Sequence, residues 1–171
     1  MASEEVKTAI TTLARIGGGA AAGACAGALA GTVISALMLA RFPHLNVSAV
    51  AQAHLGNGAV FGAIAGSVIG PIVAAGPLDG IPLRRWAPPL ILGAAVCADA
   101  GYFLGNLIDV RAAINTGALD VSRIDLWAAV LLLPEPAMGL MWAMIAGVSG
   151  VVVVSLYVRA RESRVRRALL Q

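Results

Sequence analysis

The sequence predicts an all-α fold: an integral membrane four-helix bundle with glycine-zipper packing, plus short interfacial helices. Three observations predict it. Hydrophobic residues make up 59% of the 171 positions and charged residues 12%, about half the roughly 25% charged share of an ordinary soluble domain. The hydrophobics gather in four blocks, residues 16–40, 58–75, 88–108 and 137–158, and none of the blocks contains Lys or Arg. A bilayer core of about 30 Å needs about 20 helical residues at about 1.5 Å each, so all four are long enough to span. Glycine also recurs at every fourth position within the blocks. The whole chain, residues 1–171, reads as a single transmembrane domain.

The N-terminal stretch "SEEVKTAITTLARI" has the marks of a helix start. Ser3 can cap it, and Glu4 and Glu5 suit the positive end of the helix dipole. Val6, Ile10 and Leu13 fall on one face, so this helix lies on the membrane surface or extends helix 1, with Gly17, Gly18 and Gly19 offering a bend between them. A signal peptide is not expected, because the acidic pair precedes the block and its apolar core exceeds the usual run of about 7–15 residues. A lipoprotein signal at Cys25 is also not expected, since "AAGAC" lacks a large apolar residue upstream. Cys25 and Cys97 come at similar depths and read as free, small hydrophobes.

Helix 1 carries Gly19, Gly23, Gly27 and Gly31, and helix 2 carries Gly58, Gly62, Gly66 and Gly70. Helix 3 has Gly93, Cys97, Gly101 and Gly105, and helix 4 has Gly139, Ala143 and Gly147. Lipid offers no hydrophobic drive to pair helices, so close backbone approach at small residues is what joins them. The expectation is mainly internal packing, with a partner protein as the alternative occupant of a stripe. Glycine rows and an intramembrane carboxylate resemble the rotor proteolipids of proton-pumping ATPases. Those proteins are hairpins with short loops, whereas here 17 residues separate helices 1 and 2 and 28 separate helices 3 and 4. Membership is not inferred.

Between helices 1 and 2, residues from Asn46 to Leu55 read as a short interfacial helix, ended by Gly56 or Gly58. The loop holds the only histidines, His44 and His54. Ten residues apart, they lack metal-ligand spacing on one helix. His54 reads as polar surface at the headgroup level, with ligation of a pigment or haem as the alternative. Between helices 3 and 4, residues 122–133 read as an interfacial or re-entrant helix broken at Pro134, Glu135 and Pro136. One long kinked helix 4 is the alternative.

Helix 3 carries Asp99, about 16 Å from its start and near the bilayer centre. Burying its charge costs at least about 2.5–3.5 kcal/mol. It is therefore protonated, holds a cation or faces water. Asp99, Tyr102, Phe103 and Asn106 share one face, opposite the small-residue row, and Ser67, Ser149 and Thr32 are expected at depths that reach this polar seam.

The tail, residues 159–171, holds Arg159, Arg161, Arg164, Arg166 and Arg167. It reads as a basic helix on anionic lipid headgroups, and nucleic acid is not expected as a partner. Nine basic residues fall on the side of the termini and three (Arg41, Arg111, Arg123) on the other. That split predicts a multi-pass protein of a bacterial cytoplasmic (inner) membrane with both termini cytoplasmic.

Reactive groups are sparse. There is no Ser/His/Asp set, metal cluster, phosphate loop or dinucleotide fingerprint, so no enzyme is expected. No cofactor is expected, with a bound lipid or pigment as the exception to consider. The function this predicts is a non-enzymatic accessory or structural subunit. It would pack through small-residue faces into a respiratory, photosynthetic or transport complex, with membrane lipids and other integral subunits as partners. The alternative is a small proton, ion or solute transporter or channel with Asp99 as its site and Tyr102 and Asn106 lining the path.

Overall fold

In a computed structural model of the chain, residues 4–76, 78–120, 125–132 and 136–169 are described. Among the described residues the chain forms five helices and no strand. Helix α1 is Glu4–Arg41, α2 is Val47–Ala75, α3 is Leu83–Asn115, α4 is Leu126–Leu132 and α5 is Pro136–Leu169. Four of them, all but α4, are long and apolar enough to cross a membrane. The chain is thus a multi-pass membrane protein with a four-helix bundle.

The spans fall where the hydropathy blocks predict, but each helix runs past its block. Helix α1 has 38 residues, about 57 Å of helix against a hydrocarbon core of about 30 Å. The N-terminal segment therefore extends helix 1 instead of lying apart from it. Gly17–Gly19 stay helical, and Glu4 and Glu5 in the first turn and Arg41 in the last complement the dipole.

The expected interfacial helix begins as predicted and does not end as predicted. Asn46 caps it, accepting from the Ser48 and Ala49 amides at 2.9 and 3.2 Å. A π-helical turn over Gln52–Gly56 then leads directly into the second span. Glycine ends a helix when it turns left-handed. Gly56 keeps φ −65°, and Gly58 is held helical by its contact with α1.

Helix α3 starts five residues before Pro88, at Leu83. Its extra turn is fastened by Arg85 Nη1, which donates to both Glu162 carboxylate oxygens at 3.1 Å, and by Trp86 Nε1, which donates to the Ile81 carbonyl at 3.1 Å. It ends at Asn115, where Gly117 takes φ +72°, a left-handed position that a side chain would strain.

Helix α4 covers part of the expected 122–133 segment. Residues 122–124, Leu133, Pro134 and Glu135 lie outside the described residues. The basic tail is not a separate helix but the continuation of α5 to Leu169. Within it, Arg159 Nη1 donates to the Gly76 carbonyl at 2.9 Å. This arginine caps the C-terminal end of α2, in addition to the headgroup role expected of it.

Two antiparallel pairs make the bundle, α1 with α2 and α3 with α5. In the first pair the glycine rows face each other, Gly19 against Gly66 and Gly70, Gly23 against Gly62, Gly27 against Gly58, and Gly31 against His54 and Leu55. A Cβ added at Gly70 would come 2.5 Å from Gly19 Cα, and one at Gly58 would come 2.5 Å from the Gly27 carbonyl. Backbone therefore lies on backbone, and the contact consists of dispersion and Cα–H···O contacts.

The second pair packs more mixed surfaces. Gly93 receives Val154, Gly101 and Gly105 receive Trp142, and Gly150 receives Cys97. Gly139 receives the Tyr102 ring, and Gly147 makes ordinary contact with Ala94 and Ala98. The rows of all four spans thus serve internal packing. Cys25 and Cys97 are free, with Cys25 exposed.

Gly62→Ala places a methyl against the Gly23 carbonyl, and we expect it to destabilise the bundle by about 1–3 kcal/mol. A Cβ at Gly17 meets nothing within 4 Å, so Gly17→Ala should stabilise by about 0.5–1 kcal/mol through helix propensity alone. Unfolding titrations in mixed micelles check both signs.

Candidate functional site

The polar seam of α3 is real, and it meets a residue that sequence reasoning set aside. His54 is only 4% exposed. It sits on the π-helical turn of α2, where the backbone rests on Gly31; a side chain at Gly31 would run into the His54 carbonyl and Leu55 Cα. His54 is therefore not polar surface. Its Nδ1 lies 3.1 Å from the Val50 carbonyl and its Nε2 lies 3.2 Å from the Tyr102 hydroxyl. A carbonyl only accepts, so Nδ1–H is the donor there. In the neutral ring Nε2 then accepts the Tyr102 O–H.

Tyr102 is 2% exposed, and its ring meets His54 and Phe103 edge-on, with centroids 5.8 and 5.5 Å apart. Asn106, fully buried, lies one turn further along and donates from Nδ2 to the Val130 carbonyl of α4 at 3.1 Å. The Val50 carbonyl also receives the buried Ser35 hydroxyl of α1 at 3.5 Å. Two sets of hydrogen bonds, one through Tyr102 and one through Asn106, thereby tie α3 to α1 and α2 and to α4. Ile34, Met38, Val50, Leu131 and Ala143 pack around Tyr102.

Asp99 is half-buried on the same stripe, one turn from Tyr102 towards the termini. Its Oδ1 is fully buried and has no hydrogen-bond partner, and Asn106 Oδ1 and Trp142 Nε1 share that condition. Ser67, Ser149 and Thr32 do not reach the seam. Each bonds a carbonyl of its own helix, Ile64 at 2.8 Å, Ile145 at 3.0 Å and Ala28 at 2.7 Å. Among the described residues no three of His, Cys, Asp and Glu gather as a metal site would require.

Helix α4 is held to the bundle at its start as well. Arg41 forms an ion pair with Asp125, and Asp125 Oδ1 accepts the Trp127 amide at 3.0 Å. The Trp127 amide bond holds the exposed Asp125 carboxyl below the ordinary carboxylate range; slight desolvation opposes this and Arg41 reinforces it. Of the missed residues, His54 was legible through register. Pairing Gly27 with Gly58 in antiparallel helices places Gly31 opposite His54. The same register places Ser35 opposite Val50, whereas the Val130 carbonyl carries no such signal.

Comparisons with protein-family models, with known proteins and with solved structures each find no match.

Tyr102→Phe removes the bond to His54 and should cost about 0.6–2 kcal/mol in micelle unfolding. Asn106→Ala should cost about 1–3 kcal/mol, because it strips the Val130 carbonyl of its donor.

The Asp125 contacts give a pH dependence of definite sign. A lowered carboxyl value means the cap is in place above the unfolded value of about 3.9 and is lost as pH falls through the folded one. The Trp127 amide resonance should therefore titrate below the ordinary carboxylate value, and Asp125→Asn should abolish that titration.

Proposed function

We propose that the chain is a non-enzymatic integral membrane subunit, an accessory or structural component of a larger membrane assembly. The basic-residue split supports a cytoplasmic membrane with both termini on the cytoplasmic side. The observation that carries the reading is the one-sidedness of the polar interior. From Asp99 towards the far side, Tyr102, Asn106 and His54 are buried and bonded. From Asp99 towards the termini, the buried residues are apolar, among them Ala94, Ala95, Leu90 and Ala26, except Ser155, whose hydroxyl is spent on the Val151 carbonyl of its own helix at 2.6 Å. A carried ion or solute needs polar groups on both sides of its site to replace its water, and this interior supplies them on one side. Helix-to-helix bonding accounts for the seam without transport. What the chain offers outward is apolar helix surface at lipid depth.

A second reading rests on Asp99 Oδ1, a buried acceptor without a donor beside a Tyr–His pair. That set could hold and pass a proton.

One experiment separates the two. Gentle purification from the native membrane, followed by native mass spectrometry, should yield the chain with a fixed complement of other subunits. Asp99→Asn should leave that complement intact or only weaken it, and reconstituted vesicles should show no proton flux dependent on Asp99. A lone chain or homo-oligomer whose proton flux is lost in Asp99→Asn would overturn the subunit reading.

A further inference from the structure

The two helix pairs do not close on each other along their whole length. Between them lies a cleft of about 640 Å³, walled by α1, α2, α3 and α5. It begins at Thr11 and Arg15 and ends beneath Ile34 and Ala143, where those two residues pack with Met38, Tyr102 and Leu131. From Arg15 to Ile34 along α1 that is about 28 Å. The cleft is therefore open near the termini and blind at the far side.

Its wall is apolar. Ala26, Ile69, Leu90 and Val151 are typical, and Thr11 on its rim already donates to the Lys7 carbonyl at 2.9 Å. Water in such a space would lack the two to four polar partners it needs. A void would forfeit the dispersion contacts of its whole lining. In a bilayer the material at hand to fill it is an acyl chain.

Charge identifies the head of the occupant. Arg15 is the one charged residue on the cleft wall; it is half-buried and has no acidic partner among the described residues. Of the acids on the side of the termini, Glu4 pairs with Lys7 and Glu162 with Arg85, and neither Glu5 nor Asp79 forms an ion pair with Arg15. An unpaired guanidinium at the mouth of an apolar slot matches a phosphate attached to a long tail. A partner's transmembrane helix fits less well, because a blind slot stops it short of the far side.

We propose that this cleft binds one anionic phospholipid, with a tail between the helix pairs and its phosphate on Arg15. The inference stands apart from the subunit reading, since a transporter could hold the same lipid.

The test uses the full chain, delipidated in detergent and offered phosphatidylglycerol or phosphatidylcholine, with bound lipid counted by native mass spectrometry. Wild type should retain one phosphatidylglycerol and prefer it about fivefold over phosphatidylcholine, the effect of one arginine near anionic lipid. Arg15→Gln should lose the preference while keeping its unfolding midpoint. Gly18 lines the cleft and a Cβ there meets nothing within 4 Å, so Gly18→Phe should fold, plug the mouth and retain neither lipid. Equal retention of both lipids by wild type would overturn the Arg15 assignment. No retained lipid, or retention unchanged in Gly18→Phe, would overturn the site. A co-purifying protein that protects Cys25, also on the cleft wall, from thiol labelling in delipidated samples would show a polypeptide occupant instead and overturn it too.

Discussion

The contact between the glycine rows of α1 and α2 is the constraint on which the other features depend. Gly19, Gly23, Gly27 and Gly31 let a second backbone lie directly on α1. In lipid this replaces the hydrophobic drive that a soluble bundle would use. It also sets register. Once Gly27 faces Gly58, His54 must come down beside Gly31 and turn its ring towards Tyr102. The buried hydrogen bonds are thus a consequence of where glycine was placed.

The two helix pairs differ in a way that shapes the molecule. The first is joined by backbone and leaves its larger side chains facing outward or into the cleft. The second joins glycines to bulky partners, Trp142 and Val154. At the far side the pairs are drawn together by the His54–Tyr102–Asn106 set and by the Arg41–Asp125 pair, which also bring α4 in. Near the termini the contacts between them are Arg159 to Gly76 and apolar packing around Val73, Leu78, Leu90 and Val158. Polar joining at one side and looser apolar joining at the other leave the cleft where it is.

Much of the architecture was legible in the residues. The four blocks lie within α1, α2, α3 and α5; the small-residue seam of α3 faces α5, while its polar seam reaches His54 of α2 and Val130 of α4 as well as Gly139 of α5. Asp99, Tyr102 and Asn106 do share a face, and Tyr102 and Asn106 are brought together with α4. Helix length was not legible, because hydropathy stops where lipid stops while hydrogen bonding does not. Leu83–Ala87 and Arg159–Leu169 are helical for reasons of capping and ion pairing that composition does not display. His54 was misread for a related cause. A histidine counted by sequence distance from a block looks interfacial, and only the pairing of the glycine rows shows it to be inside.

The account holds that the buried polar groups serve to join helices, and the proton positions on His54 test this most directly. Nitrogen NMR on the ¹⁵N-labelled chain in lipid at neutral pH reads both ring nitrogens. Joining through Val50 and Tyr102 predicts a neutral ring with the proton on Nδ1 and a bare Nε2, unchanged in Asp99→Asn. A proton on Nε2, or a ring whose protonation changes when Asp99 is neutralised by substitution, would contradict the account and point to a shared, mobile proton.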